Sequence, residues 1–213
     1  MSDAKRIGIF GGTFDPPHLG HLILASEAVY QLRLDRLLFI LTADPPHKQH
    51  SRVTTLEERL ILLQAVVDHD PIFELSRIEI DRPGPHYSVD TVRLLQVAHP
   101  EDAIIYLMGG DSLRTLPDWR RGQEFVDTCQ TIGVMRRPGE NVKLTELEQE
   151  LPGLSAKLQF IDAPLLEIAS REIRARISQG GAYRYYLYPS VYEIINEHGL
   201  YQELSKDVED LGE

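Results

Sequence analysis

Short apolar runs alternate with helical patterns along nearly the whole chain, and that alternation restricts the fold more than any other feature. Ile7–Phe10, Arg36–Leu41, Ala103–Met108, Thr131–Met135 and Lys157–Ile161 read as strands, and Phe73–Ile80 alternates like one. Between them, helices are predicted over Leu19–Leu32, Thr55–Asp68, Ser88–Ala98, Ser170–Ser178 and Ser190–His198. In Thr55–Asp68 the residues Leu56, Leu60, Leu63 and Val67 share one stripe. Ser88 is expected to N-cap its helix, and Gly199 to close the last one as a C′ glycine. Strands alternating with helices imply an α/β fold with a doubly wound parallel sheet. In such sheets, ligands bind beyond the carboxyl ends of the strands, at the topological switch point. Three polar clusters follow strand ends: Gly11–His21, Thr42–Lys48 and Gly109–Asp111.

A chain of 213 residues, 42% hydrophobic and 26% charged, suits one domain over residues 1–213. The acidic segment Glu203–Glu213 is expected to fray, and Arg137–Gly153 to be a polar excursion. The net charge of -11 argues against broad nucleic-acid binding, which needs a basic face. No run approaches the ~20 apolar residues of a membrane span, and the start lacks the apolar core of a signal peptide. The single cysteine, Cys129, excludes an internal disulfide and a cysteine zinc cluster. A cytoplasmic location is the resulting expectation. An anionic substrate would need cations gathered locally, from among His18, His21, Lys48, Arg136, Arg137, Arg171 and Arg174.

The segment Gly11-Gly12-Thr13-Phe14-Asp15-Pro16-Pro17-His18-Leu19-Gly20-His21 offers such a site. It has neither the glycine spacing of a dinucleotide fingerprint nor the Gly-Lys pair of a P-loop. Gly11 and Gly12 are expected to allow close backbone approach and unusual backbone angles. His18 and His21, three apart, share one face of a helix start, where the dipole and unpaired N–H groups favour anions. Gly20 between them leaves room for a flat base or ribose. A zinc pair completed by Asp15 is the competing reading, and it lacks a further converging ligand. Ser170 is expected to N-cap a helix whose N–H groups, with Arg174 one turn on, hold a triphosphate. Lys48 ends a proline-stiffened loop where it can meet a phosphate. Asp111, at a strand end, can accept from ribose hydroxyls. Trp119 has polar and proline neighbours that argue against a core position. His69-Asp70 suggests a metal-dependent phosphohydrolase only weakly, because a helix-end cap explains it.

Gly-Gly-Thr-Phe-Asp-Pro followed by His-x-Gly-His resembles the signature of the nucleotidyltransferase superfamily that shares its fold with class I aminoacyl-tRNA synthetases. Four further segments match in order: Pro45-Pro46-His47-Lys48, Tyr87-Ser88-Val89-Asp90-Thr91, Gly109-Gly110-Asp111 with Trp119, and Ile168-Ala169-Ser170-Arg171-Glu172-Ile173-Arg174. The whole set, over residues 6 to 200, resembles the bacterial nicotinate mononucleotide adenylyltransferases. The resemblance implies a Rossmann-like nucleotidyltransferase fold. It implies that ATP and nicotinate mononucleotide give pyrophosphate and nicotinate adenine dinucleotide, a step of NAD biosynthesis, with Mg²⁺ carried by the ATP phosphates rather than by a protein metal site. It makes His18, His21 and Arg174 catalytic. ATP would meet Gly11, Gly12, Thr13, Phe14, His18, Gly20, His21, Gly109, Asp111, Ser170 and Arg174. The mononucleotide would meet Asp15, Lys48, Ser88 and Trp119, the last by stacking on the nicotinate ring. Ala169, Arg171 and Ser88 depart from the usual serine, threonine and threonine of this family. Competing readings are an adenylyltransferase for nicotinamide mononucleotide or phosphopantetheine, and a nucleotide sensor without catalysis.

Overall fold

The computed structural model describes residues 4–43, 54–136, 143–164 and 166–202, with Arg136 described by its backbone alone. Six parallel strands form one sheet: β1 (Arg6–Gly12), β2 (Arg36–Leu41), β3 (Phe73–Ser76), β4 (Ala103–Gly109), β5 (Thr131–Arg136) and β6 (Leu158–Asp162). Their order is β3-β2-β1-β4-β5-β6, so the winding reverses between β1 and β4. Phe10 faces Leu107 and Gly12 faces Leu41 in the register, which brings the carboxyl ends of the central strands to one edge. The sequence-predicted doubly wound sheet is the sheet observed.

Alternate side chains of the central strands feed two cores. Ile7 and Ile9 of β1 and Ile104 and Met108 of β4 pack on one face. That face is covered by α3 (Ser88–Ala98), α4 (Gly110–Arg114), α5 (Gly122–Thr128) and α6 (Leu144–Glu150), through residues such as Val92, Leu113, Phe125 and Leu147. Phe10, Ile105 and Leu107 point the other way, to α1 (Leu19–Leu32) and α2 (Leu56–Val67). Burial on both faces is why these strands read as continuous apolar runs. The α2 stripe of Leu56, Leu60, Leu63 and Val67 faces the sheet, whereas Leu62 and Val66 face a third cluster. That cluster holds Ile173 and Ile177 of α7 (Ser170–Ser178) and Val191 and Ile195 of α8 (Pro189–Glu197).

Several boundaries differ from expectation. β3 stops at Ser76, because Arg77 starts a turn in which its carbonyl accepts from the N–H groups of Ile80 and Asp81. Part of the expected excursion 137–153 is the helix α6, and α4 and α5 fill stretches the periodicity left unassigned. Tyr87 is the N-cap of α3, with Ser88 the first helical residue. Gly199 does close α8: its φ is +62°, and the N–H of Leu200 reaches the carbonyl of Ile195 at 3.0 Å.

Candidate active site

The site forms where β1 and β4 separate. Gly11 and Gly12 are the last residues of β1, and neither has a positive φ, so the expected unusual backbone angles are absent there. Gly12 is needed for space: a Cβ would stand 2.9–3.1 Å from the ring of Phe14. Phe14 itself takes the left-handed conformation, φ 47°, and turns the chain inward. Its buried ring packs edge-on against Phe10 and His21.

His18 is the N-cap of α1 and is 6% exposed. Its backbone N–H donates to Nδ1 of His21 at 3.2 Å, and the two imidazoles stack. Burial lowers the pKa of His18 to about 4, so the ring is neutral at physiological pH. Its Nδ1 is buried without a hydrogen-bond partner. The missing side chain of Gly20 also serves His18. A Cβ there would lie 3.0 Å from Nδ1 and 3.1 Å from Cε1 of His18, so the missing side chain makes room for the imidazole.

The loop 13–17 is braced from three directions. Asp15 is 1% exposed, and its Oδ1 accepts from the hydroxyls of Thr54 and, at 2.8 Å, Tyr201. The carboxylate expected to meet the mononucleotide thus faces inward in this structure. Its inward partners also leave the zinc reading without its third ligand, and no group of three potential metal ligands occurs among the described residues. The guanidinium of Arg174 donates from Nη1 to the carbonyl of Asp15 at 2.6 Å and lies 3.7 Å from Oδ2. Ser170 does not N-cap α7; Ala169 occupies that position. The Ser170 hydroxyl instead donates to the carbonyl of Pro16 at 2.9 Å. Two residues expected to clamp a triphosphate are therefore docked beside the histidine loop, more than 150 positions away in sequence. Arg171 is exposed on the same helix start.

Arg59 also braces this loop, and sequence reasoning missed it. It is 3% exposed, and burial lowers its pKa. Its guanidinium donates to the carbonyls of Thr13, Thr42, Ala43 and Thr54, which joins the ends of β1 and β2 to the start of α2. The signal was a charged residue on the apolar face of α2, three positions after Leu56.

Across the switch point, Ser88 accepts a hydrogen bond from the Tyr106 hydroxyl at 3.1 Å. Burial pushes the Tyr106 pKa up to about 12, which keeps it a donor. Thr91, the last residue of that motif, is buried and donates to Glu79 at 2.7 Å. Trp119 is half-buried and packs against the core cluster, its ring centroid 5.5 Å from that of Phe125, closer to the core than its polar neighbours led one to expect. The chain after it is fixed by Arg121, whose Nη1 reaches both oxygens of Asp90 at 2.8 and 2.9 Å. Nε and Nη2 of Arg121 reach Glu124 at 2.6 and 2.8 Å. Arg120 and Arg121 both lie within 6 Å of the Tyr87 ring centre. Asp111 is exposed in the first turn of α4 and pairs with Arg114. Gly109 ends β4, with open space where its Cβ would be. Thr13 is half-buried.

Lys48, with Pro45, Pro46 and His47, lies outside the described residues, as do Arg137, the Arg136 side chain and segment 203–213. His69-Asp70 forms an ordinary turn: the Asp70 carboxylate accepts from the Ile72 N–H at 3.0 Å, and the His69 ring rests on Tyr188. No helix among the described residues is long and apolar enough to cross a membrane.

The cytidylyltransferase-like family profile matches residues 9–176. The nicotinate-nucleotide adenylyltransferase of Bacillus subtilis is 39% identical over 93% of this chain and 99% of its own. A Thermomicrobium roseum protein named "Probable nicotinate-nucleotide adenylyltransferase" is 39% identical over 93% of this chain and 92% of its own. Among solved structures, Plasmodium falciparum nicotinic acid mononucleotide adenylyltransferase complexed with NaAD shares the fold, with a TM-score of 0.76 at 17% identity over 92% of this chain and 97% of that one. With a family match over most of its length and relatives at 39% identity spanning it, the chain belongs to the cytidylyltransferase-like family, on its nicotinate-nucleotide adenylyltransferase branch.

Proposed function

We propose that the protein is a nicotinate-nucleotide adenylyltransferase, which joins ATP and nicotinate mononucleotide into nicotinate adenine dinucleotide and releases pyrophosphate. The observation that carries this reading is the docking of α7 on the histidine loop. Ser170 and Arg174 reach the carbonyls of Pro16 and Asp15, which sets a helix N-terminus and a guanidinium beside the imidazoles. N–H dipoles, a guanidinium and two imidazoles gathered at one strand end suit a polyphosphate undergoing charge redistribution.

In this reading the 5′-phosphate of the mononucleotide attacks the α-phosphorus of ATP in line. The new P–O bond forms as the bond to the β-phosphate bridging oxygen breaks. A phosphomonoester has a second pKa of about 6, so the nucleophile is already largely dianionic and needs no strong base. Catalysis is then positioning and charge stabilisation. His18 and His21 donate to the α-phosphate and the bridging oxygen. Ser170, Arg174 and the α7 N–H groups hold the β- and γ-phosphates. Gly11, Gly12, Thr13, Phe14, Gly20, Gly109 and Asp111 shape the adenosine side. Ser88, Lys48 and Trp119 take the mononucleotide, while Asp15 holds the loop from within.

The side chains around the phosphate place are donors, with the Asp15 carboxylate turned away, so they fit phosphate oxygens. A Mg²⁺ ion bound with the substrate would be carried by the triphosphate oxygens and water beside Ser170 and Arg174, and would supply neutralisation of the triphosphate charge. The test is incubation with ATP and Mg²⁺, with the acid and amide mononucleotides supplied in parallel and pyrophosphate followed. Pyrophosphate release dependent on the acid mononucleotide is expected. Equal rates with the amide would remove the substrate assignment, and no release with either would leave a nucleotide sensor.

A further inference from the structure

We propose that Tyr201 is a positioning residue for nucleotidyl transfer: its phenol fixes the Asp15 carboxylate and, through it, the loop that carries His18 and receives Arg174. The proposal rests on the transfer chemistry above but concerns a residue far from the reacting atoms in sequence. Tyr201 lies just past α8, and its bond to Asp15 spans 186 positions.

The turn that delivers Tyr201 is itself pinned. Gly199 and Tyr201 both adopt left-handed backbone, φ 62° and 66°. Between them Leu200 is buried in the cluster of α2, α7 and α8. A non-glycine residue in that region is a costly conformation, held only by specific contacts. Here the contact is a hydroxyl donating at 2.8 Å to a carboxylate oxygen that also takes the Thr54 hydroxyl. Burial and the neighbouring Asp15 charge push the Tyr201 pKa well up, so the phenol stays protonated and remains a donor.

Packing alone would be served by phenylalanine; the hydroxyl has to be explained by the carboxylate. Asp15 is buried, and a buried carboxylate needs donors to stay where it is. Its own carbonyl receives Arg174, the next residue's carbonyl receives Ser170, and His18 follows three positions later. A shift of Asp15 therefore moves the phosphate clamp relative to the imidazoles. A misplacement of about 1 Å can cost on the order of 10²-fold in rate.

The experiment compares Tyr201→Phe with Tyr183→Phe, which removes a hydroxyl that donates to the exposed Asn196 side chain. In Tyr201→Phe, kcat for pyrophosphate release is expected to fall about tenfold, the scale of a lost hydrogen bond to a charged group, with smaller changes in KM. The imidazole nitrogen resonances of His18 and His21 are expected to shift in the same variant. Tyr183→Phe is expected to keep both. Thr54→Val, which removes the other donor to the same oxygen, is expected to lower kcat as well; it decides the matter if Tyr201→Phe fails to fold. Wild-type kcat and unshifted imidazoles in the folded Tyr201→Phe protein would overturn the proposal, as would an equal loss in Tyr183→Phe. A wild-type protein that releases no pyrophosphate would remove the proposed activity instead, and the imidazole resonances would still decide whether Tyr201 positions the loop.

Discussion

The imidazoles of His18 and His21 stack with centroids 3.7 Å apart and planes 24° from parallel, locked by the His18 N–H donating to Nδ1 of His21. Because Nδ1 of His21 accepts, the neutral ring carries its proton on Nε2. Burial keeps the His18 ring neutral as well, so it too is a donor through one nitrogen only. Nitrogen chemical shifts at neutral pH should report His21 as the Nε2–H tautomer.

His18→Ala is expected to lower kcat by at least about 10²-fold, the cost of losing one donor to a developing charge. The fold should remain intact, because the imidazole makes no hydrogen bond through its buried Nδ1 and its removal relieves an unsatisfied polar atom. Steady-state kinetics beside a thermal melt checks both parts. Near wild-type turnover in the folded variant would contradict the proposed chemistry.

His18 also predicts a pH dependence of stability. Its folded pKa, about 4, lies below the ordinary 6.5 because burial disfavours the charged ring. Between those values the unfolded chain binds more protons, so stability is fully present above pH 6.5 and is lost as pH falls toward 4. The shift corresponds to a loss on the order of 3 kcal/mol. Glu79, whose pKa burial raises, acts with the opposite sign. Subtracting a His18→Gln melt series from the wild-type series isolates the histidine, and the difference should shrink on acidification across that window.

The sheet was legible because its strands are buried on both faces and read as unbroken apolar runs. α1 was legible over its full length, Leu19–Leu32. β3 was read too long because Ile78 and Ile80 continue the alternation, although Arg77 has already closed a turn through its carbonyl. The caps at Ser88 and Ser170 were each placed one residue late. Both serines stand one position inside the helix, where their hydroxyls serve tertiary partners, Tyr106 and Pro16, that no local pattern encodes. The motif residues were legible in sequence, but what holds them was not. Arg59 gave a local sign, as a charge on an apolar face. Tyr201 gave none, because its partner is 186 positions away.

Trp119 lies half-buried with its ring tilted against Phe125, a placement that leaves aromatic surface for a ligand. Trp119→Ala is expected to weaken the mononucleotide by about 1–3 kcal/mol, the range for stacking a base on an aromatic ring, and to change ATP affinity little. Arg121→Ala, which frees the same stretch from Asp90 and Glu124, should act in the same direction but less strongly. Separate titrations of the two substrates distinguish them, and equal losses for both would contradict the stacking assignment.

Gly20 and Gly109 divide the site by what already fills it. At Gly20 a Cβ would press on the His18 ring at 3.0–3.1 Å, so Gly20→Ala must displace the imidazole. At Gly109 a Cβ would meet nothing within 4 Å, so Gly109→Ala should fold with unchanged stability. The first substitution is expected to lower kcat by about tenfold or more through misplacement of a donor. The second is expected to raise the KM for ATP while leaving kcat nearly intact, since in the proposed site the added methyl would stand where the adenosine passes. Should Gly109→Ala bind ATP as the wild type does, the adenosine side does not pass over the end of β4. Should Gly20→Ala keep full kcat, the His18 ring is not held where the transfer requires it.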